Sequence, residues 1–138
     1  LVFGRTTDEI VAAIVPLMPR GATHVRIHAG GDFFNQAYFD AWLAIVAQFP
    51  NCRFWAFTKS THYWVQRLCA IPGNLNLTAS YGGKHDALIE QYNLKSARVV
   101  YSVEEAERLG LPIDTDDRMA AYGSESFALL ENFTRLRK

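Results

Sequence analysis

The chain has 138 residues, enough for one domain with a substantial core. Hydrophobic residues make up 49% and charged residues 20%, and 14 basic side chains balance 14 acidic ones. That composition excludes a disordered chain, and the neutral balance gives no net pull toward nucleic acid or an anionic membrane.

Thr6 and Glu9 stand at capping-box spacing, and Ile10, Ile14 and Leu17 then mark the apolar face of a first helix. Pro16 lacks the backbone donor a helix needs and ends or kinks it. "ATHVRIH" reads as a short strand, with Val25 and Ile27 facing one way and His24, Arg26 and His28 the other. Asn35 is placed to cap the next helix. Its stripe is Tyr38, Trp42, Ile45, Val46 and Phe49, with Phe39 and Leu43 outside it, so the helix should be buried on much of its circumference. "RFWAF", residues 53 to 57, is continuous enough in apolar residues for a central strand covered on both faces. Ser60 or Thr61 then opens a helix carrying Trp64, Leu68 and Ile71. "LNLTAS" alternates as a strand, Leu88, Ile89 and Tyr92 mark a short helix, and "RVVYS" is the next strand. Ser102 with Glu105 is another capping box, and Gly110 with Pro112 ends that helix. A last helix is expected from about Ser126.

Strands that alternate with helices must run parallel, because a crossover of this length returns the chain in the same direction. The fold class is therefore α/β, a single domain with a parallel sheet of about 4–6 strands, built as a partial (β/α) barrel or a doubly wound sheet. "LVF" and "LPI" are candidates for additional strands. Because the chain opens on Leu1, a fragment of a longer protein is expected. No apolar stretch approaches the ~20 residues of a transmembrane helix, and no signal-peptide pattern is present. Cys52 and Cys69 match no zinc or redox spacing, which fits reduced thiols in a cytoplasmic protein.

Each predicted strand runs from an apolar body into a small or polar tip: "HAGGD", "FTKS", "TASYGG" and "YS". Parallel strands gather such tips at the carboxyl edge, where α/β folds bind ligands. Gly30 and Gly31 let the backbone bend close to a ligand, and Asp32 then reaches the crevice. The competing role for Asp32 is a turn or capping acceptor. Thr58 and Lys59 suit an anionic group, with Lys59 as a point charge; a solvated lysine is the plainer alternative. Thr78 and Ser80 carry hydroxyls, and Gly82 with Gly83 presents backbone amides at a helix start, or forms only a tight turn. His28 is a ligand contact, an acid/base group or a hydrogen-bonded core histidine. His28, Asp32, His85 and Asp86 show no metal-ligand spacing, and no nucleotide-binding or hydrolase fingerprint occurs. No catalytic residue is nominated.

The blocks "VRIHAGGDFFNQAYFDAWL", "FWAFTKS", "IPGNLNLTAS-YGG", "VVYSVEEAERLGLPIDTDD" and "SFALL" resemble a phage-encoded family known as gene product eighty-eight, from Val25 to Leu130. The resemblance implies a phage protein whose longer members carry upstream cysteines and a His-Gly segment after the "FALL" block, and it supplies no activity. More distantly, Gly30-Gly31-Asp32 is similar to the Gly-Gly-Glu motif of radical S-adenosylmethionine enzymes, whose tip helps hold the methionine amino group. That likeness implies S-adenosylmethionine as a cofactor of the intact protein, although the three-cysteine iron–sulfur loop is missing from this chain. The expected partner is a small polar ligand. The rivals are a protein-interaction module docking through the helix from Gln36 to Phe49, with self-association as one form, and weak nucleic-acid binding through Arg135, Arg137 and Lys138.

Overall fold

The computed structural model describes residues 5–28 and 30–131. The "LVF" segment and the basic tail lie outside them.

Local chemistry sets the helix ends as the capping residues predict. Helix α1 (Thr7–Ile14) starts with a full capping box: the Thr6 hydroxyl accepts from Glu9 N–H, and the Glu9 carboxylate accepts from Thr6 N–H. Those bonds also hold the Glu9 carboxyl below its ordinary range. Pro16 breaks the helix into a single 3-10 turn, Val15–Leu17. Helix α2 (Gln36–Gln48) opens with Tyr38 N–H donating to Asn35 Oδ1 at 2.8 Å. Later, Glu105 N–H donates to Ser102 Oγ at the start of α5 (Val103–Leu109), and Gly110 closes it at φ +69°.

Between these helices run β1 (His24–Arg26), β2 (Arg53–Thr58), β3 (Leu75–Ser80), β4 (Ser96–Val100) and β5 (Phe127–Leu130). They form one parallel sheet in the order β1-β2-β3-β4-β5. Each new strand joins the same growing edge, which curls the sheet into a half-barrel and excludes the doubly wound alternative, whose strand order must reverse. The crossovers after β2 and β3 carry the short helices α3 (Thr61–Trp64) and α4 (Ala87–Gln91).

The outer face of the sheet is the main core. Phe54, Ala56, Leu75, Leu77 and Ala79 pack with Phe39, Leu43 and Val46 of α2 and with Trp64. Phe39 and Phe54 are no more than 1% exposed, and burial of such a side chain contributes about 2–3 kcal/mol. Expected aromatic contacts between α2 and a partner therefore have no Phe39 to use, since its ring is spent inside the chain.

The inner, concave face differs from the sequence reading. Strand β2 alternates between buried and half-buried residues instead of being covered on both sides. A half-barrel lacks the strands that would fill its own interior, so Trp55 and Phe57 are only partly covered. A short helix, α6 (Arg118–Tyr122), packs its Met119 and Ala120 against that face with Ala97 and Phe127. The Lys95 ammonium pins α6 there, donating to Met119 O at 2.7 Å, Ala120 O at 3.3 Å and Asn76 Oδ1 at 3.1 Å. Burial lowers the Lys95 pKa to about 8, partly offset by Asp114.

A second correction concerns the chain after Ser126. Residues 127–130 form the fifth strand and not a helix, and "LPI" contributes only a bridge between Ile113 and Ala128. Four consecutive apolar residues carry no period, so only the open sheet edge at β4 decides their conformation. No helix of the described residues is long and apolar enough to cross a membrane.

Candidate functional site

Parallel pairing brings the segments after β1, β2 and β3 to one edge of the half-barrel. Asp32 joins two of them. Its Oδ1 accepts from Phe33 N–H at 2.7 Å and from the buried Thr58 hydroxyl at 2.6 Å. Its Oδ2 accepts from Lys59 N–H at 2.9 Å, with the Ser60 hydroxyl at 3.3 Å. That hydroxyl also lies 3.0 Å from Phe33 O, so one proton serves two acceptors. Ser60 N–H in turn donates to Thr58 Oγ1, and Tyr63 Oη donates to Phe34 O. The carboxylate is a brace between the β1–α2 and β2–α3 loops, with its lone pairs largely committed. Gly31, at φ +82°, supplies the left-handed turn that lets the loop fold back onto Asp32. Ser60 occupies the N-cap position of α3, but its hydroxyl serves this brace and not the helix.

Lys59 follows from the brace. With its backbone fixed by Asp32, its side chain crosses to the tip of β3, where Nζ donates to Ser80 Oγ at 2.9 Å and lies 3.4 Å from Tyr81 O. It lies flat over Gly83, where a Cβ would meet Lys59 Cβ at 3.0 Å. Among the described residues no carboxylate comes within 4.0 Å of the ammonium. Gly82 and Gly83 do present their amides, and the chain fills them itself: Asp86 Oδ2 and Oδ1 accept at 2.9 and 3.0 Å.

Beside this, the rings of His62 and His85 stack with centroids 3.8 Å apart. Burial, then His85 and Lys84, lowers the His62 pKa, and Asp32 opposes the shift. In the sequence His85 figures only as one member of a metal set that lacks ligand spacing, and His62 is not singled out, because only the packing of α3 against the loop before α4 makes them a pair.

His28 sits deeper. Its Nε2 lies 2.6 Å from Tyr38 Oη, and Phe33 meets its ring edge-on. Burial lowers its pKa, with Asp32 opposing, so the imidazole is held toward its neutral form. Its φ of +62° is a left-handed conformation for a side-chain-bearing residue, a local strain of about 1–3 kcal/mol held by the surrounding packing. Among the described residues, His28 Nδ1 and Trp42 Nε1 are buried without a hydrogen-bond partner. On the concave face Thr78, opposite Phe57, is fully buried, and its hydroxyl also has no partner among the described residues.

The structure thus brings together Asp32, Thr58, Lys59, Ser80, Gly82 and Gly83. Gly30 stands exposed at the start of the loop, and His28 faces the aromatic side of α2. The residues present do not fit an iron–sulfur cluster. Cys52 is buried, Cys69 is exposed, and no three His, Cys, Asp or Glu among the described residues could hold a metal ion. Asp32, the residue that would hold a methionine amino group by that likeness, already has its oxygens engaged.

Comparison with known proteins finds similarity to phage proteins. The gene 88 protein of Mycobacterium phage D29 is 44% identical over 34 residues, which make 25% of this chain and 14% of the phage protein. The gene 88 protein of Mycobacterium phage L5 matches to the same extent. This chain is thus little more than half as long as those relatives. No solved structure matches it, and none of these relatives supports a radical S-adenosylmethionine relationship. A family profile described as Gene product 88 covers residues 2–135, and the chain belongs to that family.

Proposed function

We propose that this phage α/β half-barrel binds a small polar ligand through an anionic group at its carboxyl edge. Lys59 supplies the charge, Ser80 the neighbouring hydroxyl, and Asp32 acts as a positioning residue that fixes the Lys59 backbone. The single observation behind this reading is the state of the Lys59 ammonium: held in place, exposed, and satisfied among the described residues only by neutral oxygens. The two acids of the network, Asp32 and Asp86, spend their oxygens on other donors. Such an ammonium can exchange a neutral acceptor for an anionic one, and charge-assisted bonds are roughly twice as strong as neutral ones.

Calorimetric titration with inorganic phosphate tests this. Wild type should bind weakly and with salt sensitivity, and Lys59→Met should reduce affinity at least ~5-fold with folding intact. Equal binding by Lys59→Met would refute the reading.

A further inference from the structure

The opposite, amino-terminal edge of the sheet holds two hollows that the carboxyl-edge reading does not use. The larger has a volume of about 430 Å³ and lies between the 3-10 turn and the end of α2, with Val15, Met18, Phe49 and Pro50 among its walls and Arg20 beside them. Its origin is local. Pro16 and Pro19 keep the chain from continuing α1, and Gly21 at φ +74° turns it into β1. Asn74 Nδ2 donates to Val46 O, Phe49 O and Cys52 O, which fixes the facing wall.

The second hollow, of about 290 Å³, shares Pro50, Asn51 and Cys52 with the first. Its remaining wall is polar and cationic, with His24, Arg53 and Tyr122. The Arg53 guanidinium lies over the Tyr122 ring at 5.2 Å, and the Tyr122 hydroxyl is hydrogen-bonded to His24 Nε2. The amino-edge groove is this pair of adjoining hollows, the larger mainly apolar and the smaller cationic.

No acidic residue lines either hollow. Among the described residues neither Arg20 nor Arg53 has a carboxylate within 4.0 Å. Asp116 and Asp117 line a different hollow, which shares only His24 and Tyr122 with the second. In a chain whose charges balance 14 to 14, this edge is locally cationic. The larger volume falls in the range of small-molecule sites, and guanidinium groups match phosphate and carboxylate geometry.

We propose that this groove binds a single-chain amphipathic anion, with its alkyl or aryl body in the larger hollow and its phosphate or carboxylate head against Arg53 and Arg20. Cys52, in the wall the two hollows share, is buried, and burial pushes its thiol pKa up.

Calorimetry with butyl phosphate and octyl phosphate, both below their micelle concentrations, tests the proposal. A fully buried methylene is worth about fourfold in affinity. In this partly open groove, four extra methylenes should tighten binding at least ~10-fold. The double variant Arg20→Gln/Arg53→Gln should weaken octyl phosphate binding at least ~10-fold. Ala22→Trp, which fills the larger hollow, should abolish the chain-length effect, and circular dichroism checks that both variants fold. Lys59→Met should remove only the weak, chain-length-independent phosphate binding of the carboxyl edge and leave the ~10-fold preference for octyl over butyl phosphate in place, which separates the two sites. Equal affinity for the two phosphates, or an undiminished affinity in the double arginine variant, would overturn the proposal. So would a loss confined to Lys59→Met, or binding to phosphatidic acid vesicles without binding of monomeric octyl phosphate.

Discussion

The brace at Asp32 makes a quantitative prediction. Asp32→Asn keeps the shape of the side chain but offers one acceptor oxygen and one NH2 group. The best orientation leaves the oxygen on Phe33 N–H and the Thr58 hydroxyl, the two shorter contacts at 2.7 and 2.6 Å. The NH2 then faces Lys59 N–H at 2.9 Å, a donor against a donor, and loses its share of the Ser60 proton. Hydrogen bonds to a charged acceptor contribute about 1.5–3 kcal/mol each when protected. Partial exposure of the Lys59 side lowers that, and the neutral amide weakens the two bonds that survive. The expected loss is about 2–3 kcal/mol, or roughly 7–10 °C in Tm for a chain of this length.

Urea unfolding followed by tryptophan fluorescence reads the free energy, and thermal circular dichroism reads Tm. The m-value should stay at the wild-type value, since the change acts on a native contact. Asp40→Asn is the control. It weakens a half-exposed pair with Arg67 at 2.9 Å, for which about 0.5–1 kcal/mol is expected. An Asp32→Asn variant within about 0.5 kcal/mol of wild type would refute the brace and leave Lys59 unpositioned.

Other predictions follow from the same contacts. The lowered Lys95 pKa means that, between about 8 and 10.5, the unfolded chain binds more protons than the folded one, so stability rises with pH across that window. The full shift corresponds to about 3 kcal/mol, and solvent access reduces the expected gain to about 1–2 kcal/mol; urea midpoints should show it in wild type and lose it in Lys95→Met. Gly82→Ala should cost about 1–3 kcal/mol by urea unfolding, because its φ of +109° strains any side chain although a Cβ there would meet Lys59 Cε only at an ordinary 3.8 Å. Phe127→Ala should cost about 3–5 kcal/mol, as befits a fully buried ring on β5, whereas Leu109→Ala, at a position 45% exposed, should cost under about 1 kcal/mol.

The sheet was legible because its signals are local. Asn35, Ser102 and Thr6 mark helix starts through their own side chains, and Pro16 ends a helix wherever it stands. The alternation of "LNLTAS" holds in β3 from Leu75 to Leu77 and is then lost, because Thr78 is buried along with Leu77 and Ala79. The "FALL" run had no period to read, and its strand identity depends on β4 lying beside it. The open concave face was invisible for a related reason: Trp55 and Phe57 read as core residues, and nothing local says that the described residues form a half-barrel of five strands.

The carboxyl edge was legible as a place but not as a network. Small and polar strand tips gave its position, whereas the partners did not follow from spacing. Asp32 lies 26 to 28 positions before the hydroxyls and amide it binds, and the Gly82-Gly83 amides meet Asp86, a residue of their own loop. Both outcomes turn on loop geometry that composition cannot supply. The amino-edge groove had no sequence signal, since Arg20 and Arg53 are 33 positions apart and separated by a helix.

The most direct test of the proposed anion site follows amide and lysine side-chain resonances by NMR while inorganic phosphate is added. The account predicts saturable shifts centred on Lys59, Ser80 and Tyr81, fading with salt and absent in Lys59→Met. Shifts scattered over the surface, or a carboxyl edge that stays silent while phosphate rises to tens of millimolar, would contradict it.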